Sequence, residues 1–140
     1  MSSELHGMAL NRALAERLGA TIEYSEISQT WRAEWQGKIG HGISDWAAMT
    51  AAGIPDWAND AGAALRLCLD IAIKHNWQVE VCPYSNGSYV ASFTQAFDDR
   101  YVQHVVSKTA PAQAMSLLAL DALNRNHEPE PDGANFTPLQ

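Results

Sequence analysis

Two Asp-Trp-Ala triplets, eleven residues apart, carry side chains suited to binding. They are Asp45-Trp46-Ala47 and Asp56-Trp57-Ala58. Indole rings stack on bases or grip apolar side chains, and carboxylates accept hydrogen bonds from amines or ribose hydroxyls. If the fold brings the triplets together, two indoles and two carboxylates could surround one pocket.

A structural role explains the second triplet as well. Pro55 fixes the approach to the helix that follows, and an Asp or Asn side chain accepts hydrogen bonds from the open amides of its first turn. Trp57 can fold back onto that helix as a hydrophobic staple. This role is the favoured interpretation for Trp57, whereas Trp46 has no comparable helix to staple and stays open between the two readings.

Further candidate partner-binding residues lie in the second half of the chain. Asp98 and Asp99 follow Phe97 in a connection, where a solvated turn is the simpler reading. Tyr84 and Tyr89 flank an Asn-Gly turn and would extend an aromatic surface of the kind that anchors protein interfaces. Trp31 and Trp35 share one face of a strand and add to it, unless helices cover them.

Catalysis, metal binding and a cofactor are not expected. The histidines are scattered, and no HExxH, HxH or Cys-His pair is present. His41 lies between two glycines, but spacing nominates no nucleophile to accompany it. Cys68 and Cys82 are predicted to be buried free thiols in a reducing cytoplasm.

Composition excludes several classes of protein. The net charge of −7 argues against direct nucleic-acid binding, since phosphate-backbone affinity needs basic surface, although carboxylates can occupy a basic groove of another protein. No signal peptide and no membrane span are indicated, so a cytoplasmic protein is expected. We expect one domain over residues 1–126 and a flexible, acidic, Pro-rich tail over 127–140.

Periodicity indicates an α+β fold. It predicts a layered α/β sandwich with a mostly antiparallel sheet, three main helices and the order α-β-β-α-β-β-(β)-α. The helices are expected over Leu5–Leu18, Ala61–His75 and Ala110–Asn124, and the strands over Thr21–Ser25, Thr30–Gln36, the hairpin around Asn86-Gly87 and Tyr101–Val106. A long connection is expected over Gly37–Asn59, with a short helix near Trp46–Ala52.

The second long helix has few polar positions. Arg66, Asp70 and Lys74 are four residues apart and form one stripe, while apolar residues occupy most of the remaining surface. We therefore expect this helix to be buried on most of its circumference, either between a sheet and other helices or in a homodimer interface.

The chain resembles the phage ABA sandwich domain family. The similarity covers residues 5–125 and lies in three pieces: Pro55, Asp56, Trp57, Asn59, Asp60, Ala63, Ala64 and Leu65; Trp77 and Val79; and Ala110, Pro111, Ala112, Ala114, Leu117, Ala122 and Leu123. The chain departs from the family in Trp57, in a longer second helix and in the acidic tail. The resemblance implies a small phage or prophage protein and carries over no catalytic residue.

The resemblance leads to two hypotheses of different classes. One is a non-catalytic counter-defence inhibitor, similar to an anti-CRISPR protein, that occludes a surface of a host protein or defence complex. The other is a sponge that sequesters a nucleotide signal, for which Arg66 or Arg100 would matter more than the acidic residues. A phage accessory protein with no defence target stays open as a third.

Overall fold

The computed structural model describes residues 7–95 and 101–127. In order, the elements are α1 (Gly7–Arg17), β1 (Thr21–Ser25), β2 (Thr30–Trp35), β3 (Lys38–Gly42), α2 (Asp45–Ala51), α3 (Ala61–His75), β4 (Trp77–Pro83), β5 (Tyr89–Gln95), β6 (Tyr101–Lys108) and α4 (Pro111–His127). Helices and antiparallel sheets confirm the α+β class. The chain divides into two compact units, residues 1–60 and 61–140, which we call unit 1 and unit 2.

Unit 1 contains an antiparallel sheet in the order β1-β2-β3. The predicted β1–β2 hairpin is confirmed, with Tyr24 opposite Trp31 and Ile22 opposite Ala33. A second tight turn at Gln36-Gly37, where both residues have positive φ, returns the chain into β3. This third strand was not predicted, because its sequence KIGHG contains two glycines that weaken a strand pattern.

The glycines of β3 allow α2 to lie directly on the sheet. A Cβ atom at Gly40 would clash with the backbone of Ala48 and Ala52, and one at Gly42 would clash with Ala47. Ser44 caps the helix by accepting a hydrogen bond from the Ala47 amide at 3.1 Å. The short helix predicted in this region is therefore present, and Asp45 lies in its first turn.

Unit 2 contains a second antiparallel sheet in the order β4-β5-β6. The predicted Asn-Gly hairpin is confirmed: Gly87 has a φ of 92°, and the Tyr84 amide donates to the Ser88 carbonyl at 2.8 Å. Helix α3 packs on β4, while α4 packs on β5 and β6. The two helices also pack on each other, and Cys68 donates to the Met115 carbonyl at 3.3 Å.

Within a single chain, the sheet and helices of unit 2 cover only one face of α3. Its buried residues are Ala64, Leu67, Cys68, Ile71 and Ala72, which leaves a second apolar stripe at the surface. Leu65, Leu69 and Ile73 are 39%, 38% and 78% exposed. Of the two expected environments, burial between a sheet and other helices therefore applies to one face of α3 only, and the homodimer interface stays a prediction.

Within residues 7–95 and 101–127, no helix combines the length and the apolar character needed to span a membrane.

Candidate functional site

The second Asp-Trp-Ala triplet is held by a buried asparagine of α1. Asn11 is 0% exposed, and its side-chain amide donates to the Asp56 carboxylate at 2.7 Å. The Asn11 side-chain oxygen accepts a hydrogen bond from the Ala58 backbone amide at 2.8 Å. Asn59 also donates to Asp56, at 3.2 Å. These contacts, which we call the Asn11 clamp, fasten the segment from Asp56 to Asn59 onto the first helix.

Trp57 lies in the core of unit 1. Only 4% of its surface is exposed, and its ring meets that of Trp35 edge-on, with centroids 5.9 Å apart. Edge-to-face contacts of this kind stabilise aromatic pairs. Trp57 is thus a packing residue of the folded unit and does not form surface that a partner could touch. This corrects its assignment as a binding residue.

Asp45 of the first triplet contacts Arg12, the residue that follows Asn11 in α1. The Arg12 guanidinium forms an ion pair with Asp45 at 3.5 Å and a shorter one with Glu16 at 3.1 Å. The Arg12 and Asp45 side chains are 35% and 27% exposed, so the group is partly open to solvent. Neighbouring positions of one helix therefore hold both aspartates: Asn11 binds Asp56 on the buried side, and Arg12 binds Asp45 near the surface.

Two aromatic rings adjoin this ion pair. The Arg12 guanidinium lies over the Trp31 ring, 5.5 Å from its centroid, within the range of a cation–π interaction. Trp31 in turn meets Tyr24 across the β1–β2 pair, with centroids 5.3 Å apart. Tyr24 is 48% exposed and Trp31 is half-buried. We call Arg12, Glu16, Tyr24, Trp31 and Asp45 the Arg12 cluster.

The strands explain why this cluster reaches the surface. Trp31, Ala33 and Trp35 alternate along one face of β2, as the sequence predicted. Ala33 and Trp35 are buried, whereas Trp31 is only half-buried at the other end of the same face. The aromatic face therefore begins in the core of unit 1 and ends in the Arg12 cluster.

The other predicted site residues lie elsewhere. Trp46 is half-buried in α2. Tyr84 and Tyr89 belong to unit 2, where Tyr84 is 56% exposed in the hairpin turn and Tyr89 is half-buried at the start of β5. Asp98 and Asp99 lie outside the described residues.

Sequence reasoning missed Asn11, Arg12 and Tyr24 as members of these sites. A helical wheel of α1 contains one useful signal, because Asn11 lies next to Leu10 and Leu14 on the side that faces the core. An amide on an apolar face needs a hydrogen-bonding partner. Nothing local names Asp56 as that partner.

Two side chains of unit 2 have shifted pKa values. Burial raises the pKa of the Cys68 thiol to about 12, so this cysteine is a protonated core residue rather than a nucleophile. Burial and the nearby charge of Lys74 lower the pKa of His75, whose ring stacks on Trp77 with centroids 4.5 Å apart. Among residues 7–95 and 101–127, no cluster of His, Cys, Asp and Glu side chains is arranged to hold a metal ion.

No family model, curated protein or solved structure matches the chain. The resemblance to the phage ABA sandwich domain family therefore stays a prediction.

Proposed function

We propose that the chain is a non-catalytic binding protein that occupies a surface of another protein through the Arg12 cluster. The observation that carries this proposal is a partly exposed group in which Arg12 lies over the Trp31 ring and Trp31 contacts Tyr24. Trp, Tyr and Arg are the residue types that contribute most to protein interfaces. Here Trp31 contacts both Arg12 and Tyr24.

The internal contacts of the cluster favour binding. Arg12 is held between Glu16, Asp45 and the Trp31 ring, so its side chain is partly ordered before a partner arrives. Ordering long side chains costs free energy during association, and contacts made in advance reduce that cost. The α2–β3 packing places Asp45 through a short, capped helix, which adds a rigid support for the ion pair.

Charge indicates the kind of surface that would fit. Residues 1–60 contain eight acidic and four basic side chains, a net charge of −4. Glu16, Glu23 and Glu34 are exposed on the elements that form the Arg12 cluster. A basic partner surface, such as one that otherwise binds nucleic acid, would complement this distribution and be blocked by it.

The counter-defence role is the finer part of the proposal. It rests on the resemblance to phage ABA sandwich proteins, which implies expression in the cytoplasm of a bacterial host. The partner would then be a host protein or defence complex, and the mechanism would be occlusion of its nucleic-acid-binding surface, as in an anti-CRISPR inhibitor.

Infection assays can test this role. The chain would be expressed in a bacterium with an active CRISPR system and challenged with a phage that the system targets. Wild type should restore plaque formation, and Arg12→Ala combined with Tyr24→Ala should lose this effect. Arg125→Ala is a matched control, since Arg125 also pairs with an acid four residues away, at 3.2 Å.

Failure of wild type to restore plaques would overturn the inhibitor role for that system. Equal activity of the wild type and the Arg12/Tyr24 variant would instead remove the Arg12 cluster as the binding surface. A nucleotide sponge would be favoured if cyclic or ADP-ribose-type nucleotides changed the tryptophan fluorescence of the purified chain.

A further inference from the structure

Unit 2 has an apolar groove between a helix and the edge of a sheet. The groove has a volume of about 470 Å³ and is lined by Leu69, Ala72, Ile73, Asn76, Trp77, Gln78 and Val79. On one side lies the exposed α3 stripe of Leu65, Leu69 and Ile73. On the other lies β4, the edge strand of the β4-β5-β6 order. An exposed apolar stripe thus runs beside a strand whose described neighbour is β5 alone.

We propose that a second copy of the chain occupies this surface about a two-fold axis near Val79. Strand β4 would pair antiparallel with β4 of the second copy and join two three-stranded sheets into one. The α3 stripes of the two copies would pack against each other above this junction. This inference goes beyond the proposed function and does not depend on it.

The helix stripe has the symmetry that such a pair requires. A two-fold interface brings one surface patch against itself. Leu65, Leu69 and Ile73 are spaced by four residues on either side of Leu69. An antiparallel copy of α3 can therefore place Leu69 on Leu69 and Leu65 on Ile73.

The strand is also self-complementary in one register. With Val79 opposite Val79 of the second copy, each Gln78 lies opposite a Glu80. Their side chains already form a hydrogen bond within one chain, in which Gln78 donates to Glu80 at 3.2 Å, so the polar types are compatible. A register centred on Glu80 would instead put two carboxylates opposite each other, which destabilises a strand pair.

The position of α3 allows strands and helices to meet at the same time. Helix α3 packs on the edge strand β4, whereas α4 covers β5 and β6. Paired strands lie about 4.8 Å apart and packed helices about 8–10 Å apart. A helix above the edge strand is therefore near enough to the axis to touch its copy.

Charge does not oppose this contact. The whole chain has a net charge of −7, but the exposed stripe next to the apolar one contains Arg66, Asp70 and Lys74. Two cations and one anion on each helix avoid the repulsion that two acidic faces would create.

Sedimentation equilibrium across a range of chain concentrations tests the proposal. Wild type should behave as a monomer–dimer system. Ile73→Glu should raise the dissociation constant at least about tenfold, because a carboxylate would lie in the apolar contact. Ile43→Glu in unit 1 is the matched control, since Ile43 is 88% exposed and should not affect association. A chain that stays monomeric throughout, or a dimer unaffected by Ile73→Glu, would overturn the proposal.

Cross-linking tests the strand register. Directly opposed residues in antiparallel strands have Cα atoms about 4.5–5.5 Å apart, within the disulfide range of about 4.4–6.8 Å. Val79→Cys, made in a Cys82→Ser background that leaves only buried Cys68, should therefore form covalent dimers on mild oxidation. Glu23→Cys on edge strand β1 is the control and should stay monomeric. Equal cross-linking at both positions would contradict the assigned interface.

Discussion

Asn11 and Asp56 are 45 residues apart in the chain and 2.7 Å apart in space. The asparagine is fully buried, and it also accepts the Ala58 amide at 2.8 Å. One side chain thus satisfies two polar groups of the segment from Asp56 to Asn59 and keeps Trp57 in the core. In the sequence, the Asp56-Trp57-Ala58 triplet looks like a binding motif. In the structure, its main role is to hold this segment against α1 in unit 1.

Replacing Asn11 should therefore destabilise unit 1. Asn11→Leu removes the buried acceptor of the Ala58 amide and the shortest hydrogen bond to the Asp56 carboxylate, and the expected loss is about 2–4 kcal/mol. Urea unfolding followed by tryptophan fluorescence measures it. Asn59→Ala is the control: Asn59 is exposed and bonds the same carboxylate, so its loss should be below about 1 kcal/mol. Equal unfolding midpoints for Asn11→Leu and wild type would refute the clamp.

Because α2 lies close to β3, substitutions at adjacent positions of this strand should differ strongly in how much they destabilise unit 1. Gly40→Ala should destabilise unit 1 by about 1–3 kcal/mol, because the new methyl group meets the backbone of α2. Ile39→Ala, at the adjacent half-exposed position, should change stability by about 0.5 kcal/mol or less. Thermal unfolding of both variants makes the comparison. Similar losses for the two would contradict this packing.

The two cysteines should differ in reactivity. The predicted burial is correct for Cys68 but wrong for Cys82, which is exposed near the end of edge strand β4. Cys82 should react with a chromogenic disulfide reagent in the native state, whereas Cys68 should react only after unfolding. Titration of the thiols before and after the addition of denaturant counts the cysteines that react in the native and in the unfolded state. Fast reaction of both thiols in the native state would show that the α3–α4 contact is open.

The raised pKa of Cys68 also predicts a pH dependence. The folded state holds this proton up to a pKa of about 12, above the ordinary value of 9.0. The stabilisation is therefore complete below pH 9 and is lost as the pH rises from 9 towards 12. The free energy of unfolding should fall less steeply with pH over this window for Cys68→Ala than for Cys82→Ala. Identical slopes would contradict a buried thiol.

The contact between Arg12 and Trp31 should be measurable but modest. A double-mutant cycle with Arg12→Ala and Trp31→Ala should give a coupling free energy of about 0.5–1 kcal/mol, the range of a partly exposed cation–π pair. Chemical unfolding of the four proteins measures it. A coupling of zero would place the guanidinium away from the ring. A modest value means that Arg12 variants fold and can be used in binding assays.

Much of the fold was predictable because its signals are local. Asn86-Gly87 between two alternating segments indicated the β4–β5 hairpin, and the helix expected over Leu5–Leu18 is followed by Gly19, whose φ of 106° suits a helix end. Strand β3 was missed because its glycines accommodate α2, a requirement that only the tertiary structure reveals. The environment of the α3 stripe was left open for a similar reason, since hydrophobicity does not specify which neighbour covers it.

The candidate site was less predictable than the fold. Asp45 was proposed from its neighbour Trp46, yet the contacts that organise it come from Arg12, 33 residues earlier. The Tyr24–Trp31 pair depends on the register of the β1–β2 hairpin, which the sequence suggested without fixing the opposed residues. Contacts of this kind arise from tertiary packing and leave little trace in spacing.

The Arg12 cluster is tested most directly by affinity capture from a lysate of a CRISPR-proficient host, with immobilised variants compared at equal loading. Wild type, Arg125→Ala and Ile27→Ala should retain the same host protein, since Ile27 is 99% exposed and outside the cluster. The Arg12→Ala/Tyr24→Ala variant should lose it while keeping the wild-type unfolding transition. Retention of that protein by the folded double variant would contradict binding through the Arg12 cluster.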